Sequence, residues 1–312
     1  MRWEKKGVIF APDRNYDWMV SHASVPVVDE ARPGVLRIYF GTRDRDGRSQ
    51  TSYIEVDAQQ PEKVLYIHDQ PILSLGKPGS FDDSGIMPSW LVNWQNKKYL
   101  YYIGWSVTVS VPYHLAIGLA ISDDGGQSFR KVSQGPILDR SVDEPFFNTA
   151  PCVIPEEKHW RMWYVSCTGW EQVGERLEPR YTVKLAESSN DTYWSKPNRP
   201  CIEYDEQTGA IGRPCVYKEG DIFKMLYSYR GVRDYRTDPA QSYRLGYAES
   251  TDGLIWKRRD EEVGIERSAS GWDSEMMEYC YVYRHEDRTY LFYNGNGFGK
   301  TGIGYAVLDS RS

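Results

Sequence analysis

The stretch Val25-Pro26-Val27-Val28, followed by Arg37-Ile38-Tyr39-Phe40, is the key to this chain, because the same two-part phrase is written five times. Its first part is an apolar strand opening at a marker residue. It recurs at Pro26, Pro88, Pro151 and Pro214, with Tyr279 in the fifth place, at intervals of 62, 63, 63 and 65 residues. Its second part carries Tyr39, Tyr102, Tyr164, Tyr227 and Tyr293, at intervals of 63, 62, 63 and 66. Two ladders that share one period mark a repeat architecture of the propeller or array kind.

Around each phrase the sequence offers four strand-like pieces. A β-branched or aromatic run follows the marker, and a second run ends in the ladder tyrosine. A third run precedes an Asp-rich turn, as in Ser122-Asp123-Asp124-Gly125 and Ser250-Thr251-Asp252-Gly253. Asp and Gly there supply the side-chain bonds and positive φ of a tight hairpin. The fourth piece opens on Phe129, Trp194 or Trp256. The fifth repeat lacks that piece, whereas the N-terminus has one to spare in Trp3 through Gly7-Val8-Ile9-Phe10. The expectation is an all-β chain, a single five-bladed β-propeller domain over residues 1–312 with four antiparallel strands per blade. Blades start near 22, 84, 147, 210 and 275, and residues 2–10 complete the fifth. Closure of that kind protects sheet edges. Irregular loops are expected at 42–51, 105–115, 167–180, 229–243 and 295–301, and loops this long are usually functional.

Composition narrows the function classes. The 312 residues include 24 Tyr and 11 Trp, side chains that suit strands and also sugar faces. A net charge of −6 argues against a nucleic-acid partner, which wants a basic stripe. No apolar run follows the charged start Met1-Arg2-Trp3-Glu4-Lys5-Lys6, and none approaches the ~18 residues of a membrane span. A cytoplasmic protein with no membrane partner is expected. Five cysteines occur without a C-x-x-C pair, and Cys152, Cys215 and Cys280 each follow a marker directly, which reads as small core filler. No cofactor is expected, a structural metal in the central channel stays open, and the sequence sets no oligomeric state.

In a propeller the first strand of each blade begins, and the second ends, at the same mouth of the central channel. The segments before the markers therefore converge with the loops that follow the second strands. These segments hold His22, Asp82, Asp83, Asp143, Glu144, Arg213, Asp273, Glu275 and Glu278, and the loops add Arg43, Trp105, Tyr229, Arg230 and Asn294. Carboxylates crowded into one pocket cannot all ionise at equal cost, so one becomes an acid and another stays a base. The sequence reading assigns catalysis to Asp83, Glu275, Glu278 and His22. It assigns substrate contact to Asp82, Arg43, Trp105, Glu144, Arg213, Tyr229, Arg230, Asp273 and Asn294. The alternative is that these charges pair and staple the blades together.

The five-fold repeat, with Phe81-Asp82-Asp83-Ser84-Gly85-Ile86-Met87-Pro88, Tyr101-Tyr102-Ile103-Gly104-Trp105, Trp272-Asp273-Ser274-Glu275 and Tyr293-Asn294-Gly295-Asn296-Gly297, resembles the five-bladed superfamily of glycoside hydrolase families 32, 43, 68 and 130. More narrowly it resembles a glycosidase-like branch encoded among polysaccharide and sugar-nucleotide genes. The resemblance covers essentially the whole chain. It implies an Asp base before the first marker, a pKa-tuning Asp in the second or third blade, and a Glu acid in the third. Val25, Met87 and Asn148-Thr149-Ala150 stand at those places instead, so acidity is displaced within blade two and concentrated in blade five.

These readings converge on a glycoside-hydrolase-like enzyme that acts on a small sugar or glycosylated metabolite by carboxylate chemistry. A non-hydrolytic enzyme on the same fold, a lyase, dehydratase or isomerase acting on a sugar or nucleoside, is the alternative. A non-catalytic sugar-binding propeller is the third reading.

Overall fold

The computed structural model describes residues 1–157, 159–205 and 207–309. Strand β1 (Trp3–Phe10) comes first. Four antiparallel groups of four strands follow it. The first holds β2 (Ser21–Arg32), β3 (Val35–Arg43), β4 (Ser49–Asp57) and β5 (Val64–Ile67). The second holds β6 (Gly85–Trp94), β7 (Lys97–Val107), β8 (Tyr113–Ser122) and β9 (Arg130–Lys131). The third holds β10 (Asn148–Glu156), β11 (His159–Val173), β12 (Arg176–Ser188) and β13 (Pro200–Ile202). The fourth holds β14 (Ala210–Glu219), β15 (Ile222–Arg230), β16 (Arg244–Ser250) and β17 (Lys257–Arg258). The last group is β18 (Glu278–His285), β19 (Arg288–Asn294) and β20 (Ile303–Leu308), and β1 pairs antiparallel with β20 from Trp3 opposite Leu308 to Phe10 opposite Ile303. Isolated parallel contacts, Ser49 to Gly85 and Tyr181 to Ala210, join the groups in pairs, and no closed sheet forms among the described residues. The architecture is nearly all-β and propeller-like. No helix among the described residues is long and apolar enough to cross a membrane.

The pairing registers correct the ladders. Val27 faces Tyr39, while Trp90 faces Tyr101, Cys152 faces Trp163, Cys215 faces Leu226 and Tyr281 faces Phe292. Tyr102, Tyr164, Tyr227 and Tyr293 are therefore equivalent to Phe40, not to Tyr39. The markers equivalent to Pro26 are Ser89 and Cys280 rather than Pro88 and Tyr279. The physical reason is a register shift at the start of each first strand, which period counting does not see.

The corrected rows have separate tasks, because successive strand residues face opposite ways. In one row the polar tips reach into the turn of the next group: Tyr39 Oη donates to Gly126 O (2.9 Å), Tyr101 Oη to Asp191 O (3.2 Å) and Trp163 Nε1 to Gly253 O (2.9 Å). Tyr290 Oη returns from the last group to Ala58 O in the first (2.8 Å). In the other row each tyrosine donates to a carboxylate, buried in three cases and half-buried at Asp260, that also pairs with a cation. These sets are Tyr102–Asp82–Lys131, Tyr164–Glu144–Lys196, Tyr227–Asp260–Arg258 and Tyr293–Asp273–Lys5. The Tyr102 ring lies over its strand partner Gly118, where a Cβ would stand 2.1 Å from the ring. Only glycine admits that approach.

One expected loop is not a loop. Residues 167–180 extend the β11–β12 hairpin, with Trp170 opposite Pro179 and Val173 opposite Arg176, and Gly174 (φ 58°) makes its turn. All five cysteines are free and buried.

Candidate ligand cavity

A cavity of about 150 Å³ opens where the second strands end. Its floor is Arg213, 1% exposed, which follows Gly212 and occupies a bulge with φ 48°. Val25, Ala150 and Tyr279 hold the same left-handed conformation (φ 53°, 46° and 55°) at the equivalent bulges. That conformation is uncommon outside glycine and strained for Val. It places Ala150, Arg213 and Tyr279 on the cavity wall. The Arg213 guanidinium donates to the carbonyls of Pro26 (2.9 Å), Ser89 (3.1 Å) and Cys280, the corresponding residues of three groups. Its charge is spent on tying first strands together.

The walls are aromatic and cationic. Trp105 packs on Tyr113 with ring centroids 4.4 Å apart, and Phe147, Tyr181, Tyr243 and Phe298 continue the wall. Arg230 donates Nε to Tyr243 Oη (3.1 Å), Nη1 to Gly231 O (2.9 Å) and Nη2 to Pro179 O (2.6 Å), and it lies 3.7 Å from the Tyr235 ring centroid. Arg236 pairs with Glu178 at 2.7 Å, and Tyr235 Oη donates to the same carboxylate. Arg43 also lines the cavity. No Asp, Glu or His is among the lining residues.

The nearest unused acid is Glu278. It is fully buried opposite Asn294 in the β18–β19 ladder, next to the wall residue Tyr279. Neither carboxyl oxygen has a hydrogen-bond partner, and neither does Asn294 Nδ2. The Tyr279 hydroxyl and the Asn294 amide lie beside the carboxyl without completing a bond to it. Burial pushes the Glu278 pKa up to about 8, and those neighbours, with Arg230 and Arg236, offset it only in part. Glu278 is therefore a neutral acid at pH 7.

The structure thus brings Arg43, Trp105, Arg213 and Arg230 to the cavity, with Glu278 and Asn294 behind its wall. It places the other expected site residues elsewhere. Asp82, Glu144 and Asp273 sit in the tyrosine–acid–cation sets rather than on the cavity wall. Asp83 caps a turn, accepting from Gly79 N (2.8 Å) and Ser84 Oγ (2.8 Å). Glu275 is solvent-exposed beside Asn296. Tyr229 shares the face of Tyr227 and packs near Arg244 and Arg258, while its neighbours Ser228 and Arg230 face the cavity. His22 contacts Ser21 Oγ (2.8 Å) next to Arg43. Burial, then Arg43 and Lys300, lower its pKa to about 4, which leaves it neutral at pH 7. Among the described residues no group of three His, Cys, Asp or Glu side chains could hold a metal.

Sequence reading passed over Tyr279, Tyr181, Tyr243, Arg236 and Thr149. Thr149 lay in a segment already selected, and Arg236 and Tyr243 lay in a loop already marked; the preference for carboxylates excluded them.

No family model matches this sequence. The uncharacterized proteins MT1551 and Rv1502 of Mycobacterium tuberculosis are each 35% identical to it over 311 residues, 99% of this chain and 100% of theirs. A solved structure of BT0996 in an RGII complex matches with a TM-score of 0.76 and 19% identity, over 98% of this chain and 91% of that one. A thermostable family-43 glycoside hydrolase matches with a TM-score of 0.66 and 15% identity, over 95% of this chain and 93% of that one. At such identities the likeness carries the fold, which is that of the propeller glycoside hydrolases.

Proposed function

We propose that this chain, which belongs to the same family as the mycobacterial proteins MT1551 and Rv1502, is a glycoside-hydrolase-like enzyme acting on a small sugar or glycosylated metabolite above Arg213. We read the antiparallel groups as five blades of one domain, the last completed by β1; the β1–β20 register and the Lys5–Asp273 pair (2.6 Å) support that reading. The buried free thiols suit a reducing compartment such as the cytoplasm.

The observation that carries the enzymatic reading is Glu278, a buried acid kept neutral beside a phenol that lines the cavity. A poised acid of this kind is a mark of functional sites. In the hydrolytic form, the leaving oxygen takes a proton from Tyr279 Oη as the glycosidic C–O bond breaks. Tyr279 regains that proton from Glu278, water adds its oxygen to the anomeric carbon, and the proton it sheds returns to Glu278. The Trp105–Tyr113 wall receives the apolar face of the ring.

The absence of a lining carboxylate favours a second reading, elimination or isomerisation. Mass spectrometry of sugars that bind, incubated in ¹⁸O water, separates the outcomes. One ¹⁸O in the released sugar supports hydrolysis, and a new alkene without it supports elimination. Bound sugars that emerge unchanged overturn the enzymatic reading in favour of a binding propeller.

A further inference from the structure

Resting on the reading of this cavity as a sugar site, we infer that the sugar carries an anionic group, a carboxylate or a phosphoryl group, and that Arg43 grips it. Four arginines line the cavity, and three are accounted for. Arg213 holds three carbonyls, Arg230 holds two carbonyls and a phenol, and Arg236 holds Glu178. Among the described residues the Arg43 guanidinium has no hydrogen-bond or ion-pair partner. Packing around its head lowers its pKa, Tyr279 works against that, and Arg236 adds the repulsion of a second positive charge in the same site.

No acid on the wall offsets that charge, and Glu278 behind it is protonated. A neutral sugar would leave the excess uncompensated. A carboxylate or phosphoryl oxygen would meet a planar fork suited to both. Thr149 also lines the cavity, and its Oγ1 is buried without a partner. A volume of about 150 Å³ is on the scale that admits one six-membered ring, so one charged sugar unit of the ligand occupies the cavity.

Calorimetry at pH 7 with glucose, glucuronate and glucose 6-phosphate tests the inference on the wild type, Arg43→Gln, Arg43→Lys and Glu278→Gln. At least one charged sugar binds about 10- to 100-fold more tightly than glucose, as bonds to a charged group allow. Which of the two binds identifies the anion. Arg43→Gln removes that advantage, Arg43→Lys keeps part of it, and added salt weakens it. Because the Arg43 guanidinium has no hydrogen bond or ion pair to lose, both variants keep the wild-type melting temperature. Glucose binding as tightly as both anions, an unchanged affinity in Arg43→Gln, or no binding of either anion at millimolar concentration overturns the inference. Binding is read without turnover. A charged glycoside that binds and survives incubation therefore removes the enzymatic reading and leaves this one standing, while turnover of neutral glycosides unaffected by Arg43→Gln does the reverse.

Discussion

Replacing Glu278 with Gln changes how stability depends on pH, and the size of the change follows from burial. In the unfolded chain this carboxyl titrates near 4.5; in the folded protein burial holds it protonated to about 8. Below pH 4.5 both states keep the proton and the group contributes no difference. Above it the unfolded chain ionises while the folded chain cannot, so unfolding becomes easier as pH rises, until the folded group ionises too. Each unit within that window is worth about 1.4 kcal/mol. Between pH 5 and 7.5 the wild type therefore loses about 3 kcal/mol on account of this one residue. Gln has the same shape and no ionisation, so Glu278→Gln gains about 3 kcal/mol relative to the wild type across that range. Urea unfolding followed by tryptophan fluorescence at pH 5, 6 and 7.5 measures the difference. A gap that stays flat with pH, or that closes as pH rises, refutes a buried neutral acid at position 278.

Two further outcomes concern the scaffold. Lys131→Met strands the Asp82 carboxylate, which is 1% exposed, and destabilises the protein by about 3–5 kcal/mol; adding Asp82→Leu restores most of the loss. Chemical denaturation of the three variants checks this, and a double variant as unstable as the single would contradict the staple. Arg213→Met leaves the carbonyls of Pro26, Ser89 and Cys280 without their donor, at about 3–6 kcal/mol, and lowers the melting temperature in calorimetry. An unchanged melting temperature would show that the guanidinium does not hold the first strands together.

Period and composition were enough to read the strands and to point to the end of the second strands, where the cavity opens. Side-chain direction was not, because it turns on single-residue register. A bulge at the head of β6 moves the marker from Pro88 to Ser89, and the row of Tyr102 belongs with Phe40 rather than Tyr39. The same parity separates Tyr229, which lies with Tyr227, from Arg230, which reaches the cavity. Asp82, Glu144 and Asp273 occupy equivalent places in three groups, each paired with a lysine and a tyrosine. Their cations, Lys131, Lys196 and Lys5, lie far along the chain from them and carried no local signal. Glu278 could be singled out because it lies directly before Tyr279, but that its oxygens complete no hydrogen bond appears only in three dimensions.

Whether Glu278 supplies the proton used in the cavity is best settled by the pH profile of kcat for the wild type and Glu278→Gln, on a sugar that the wild type turns over. The expected wild-type rate falls above about pH 8, and the Gln variant is slower by at least about 100-fold with that limb gone. A Gln variant with the wild-type rate and the same alkaline limb would contradict a proton-donating role for this residue.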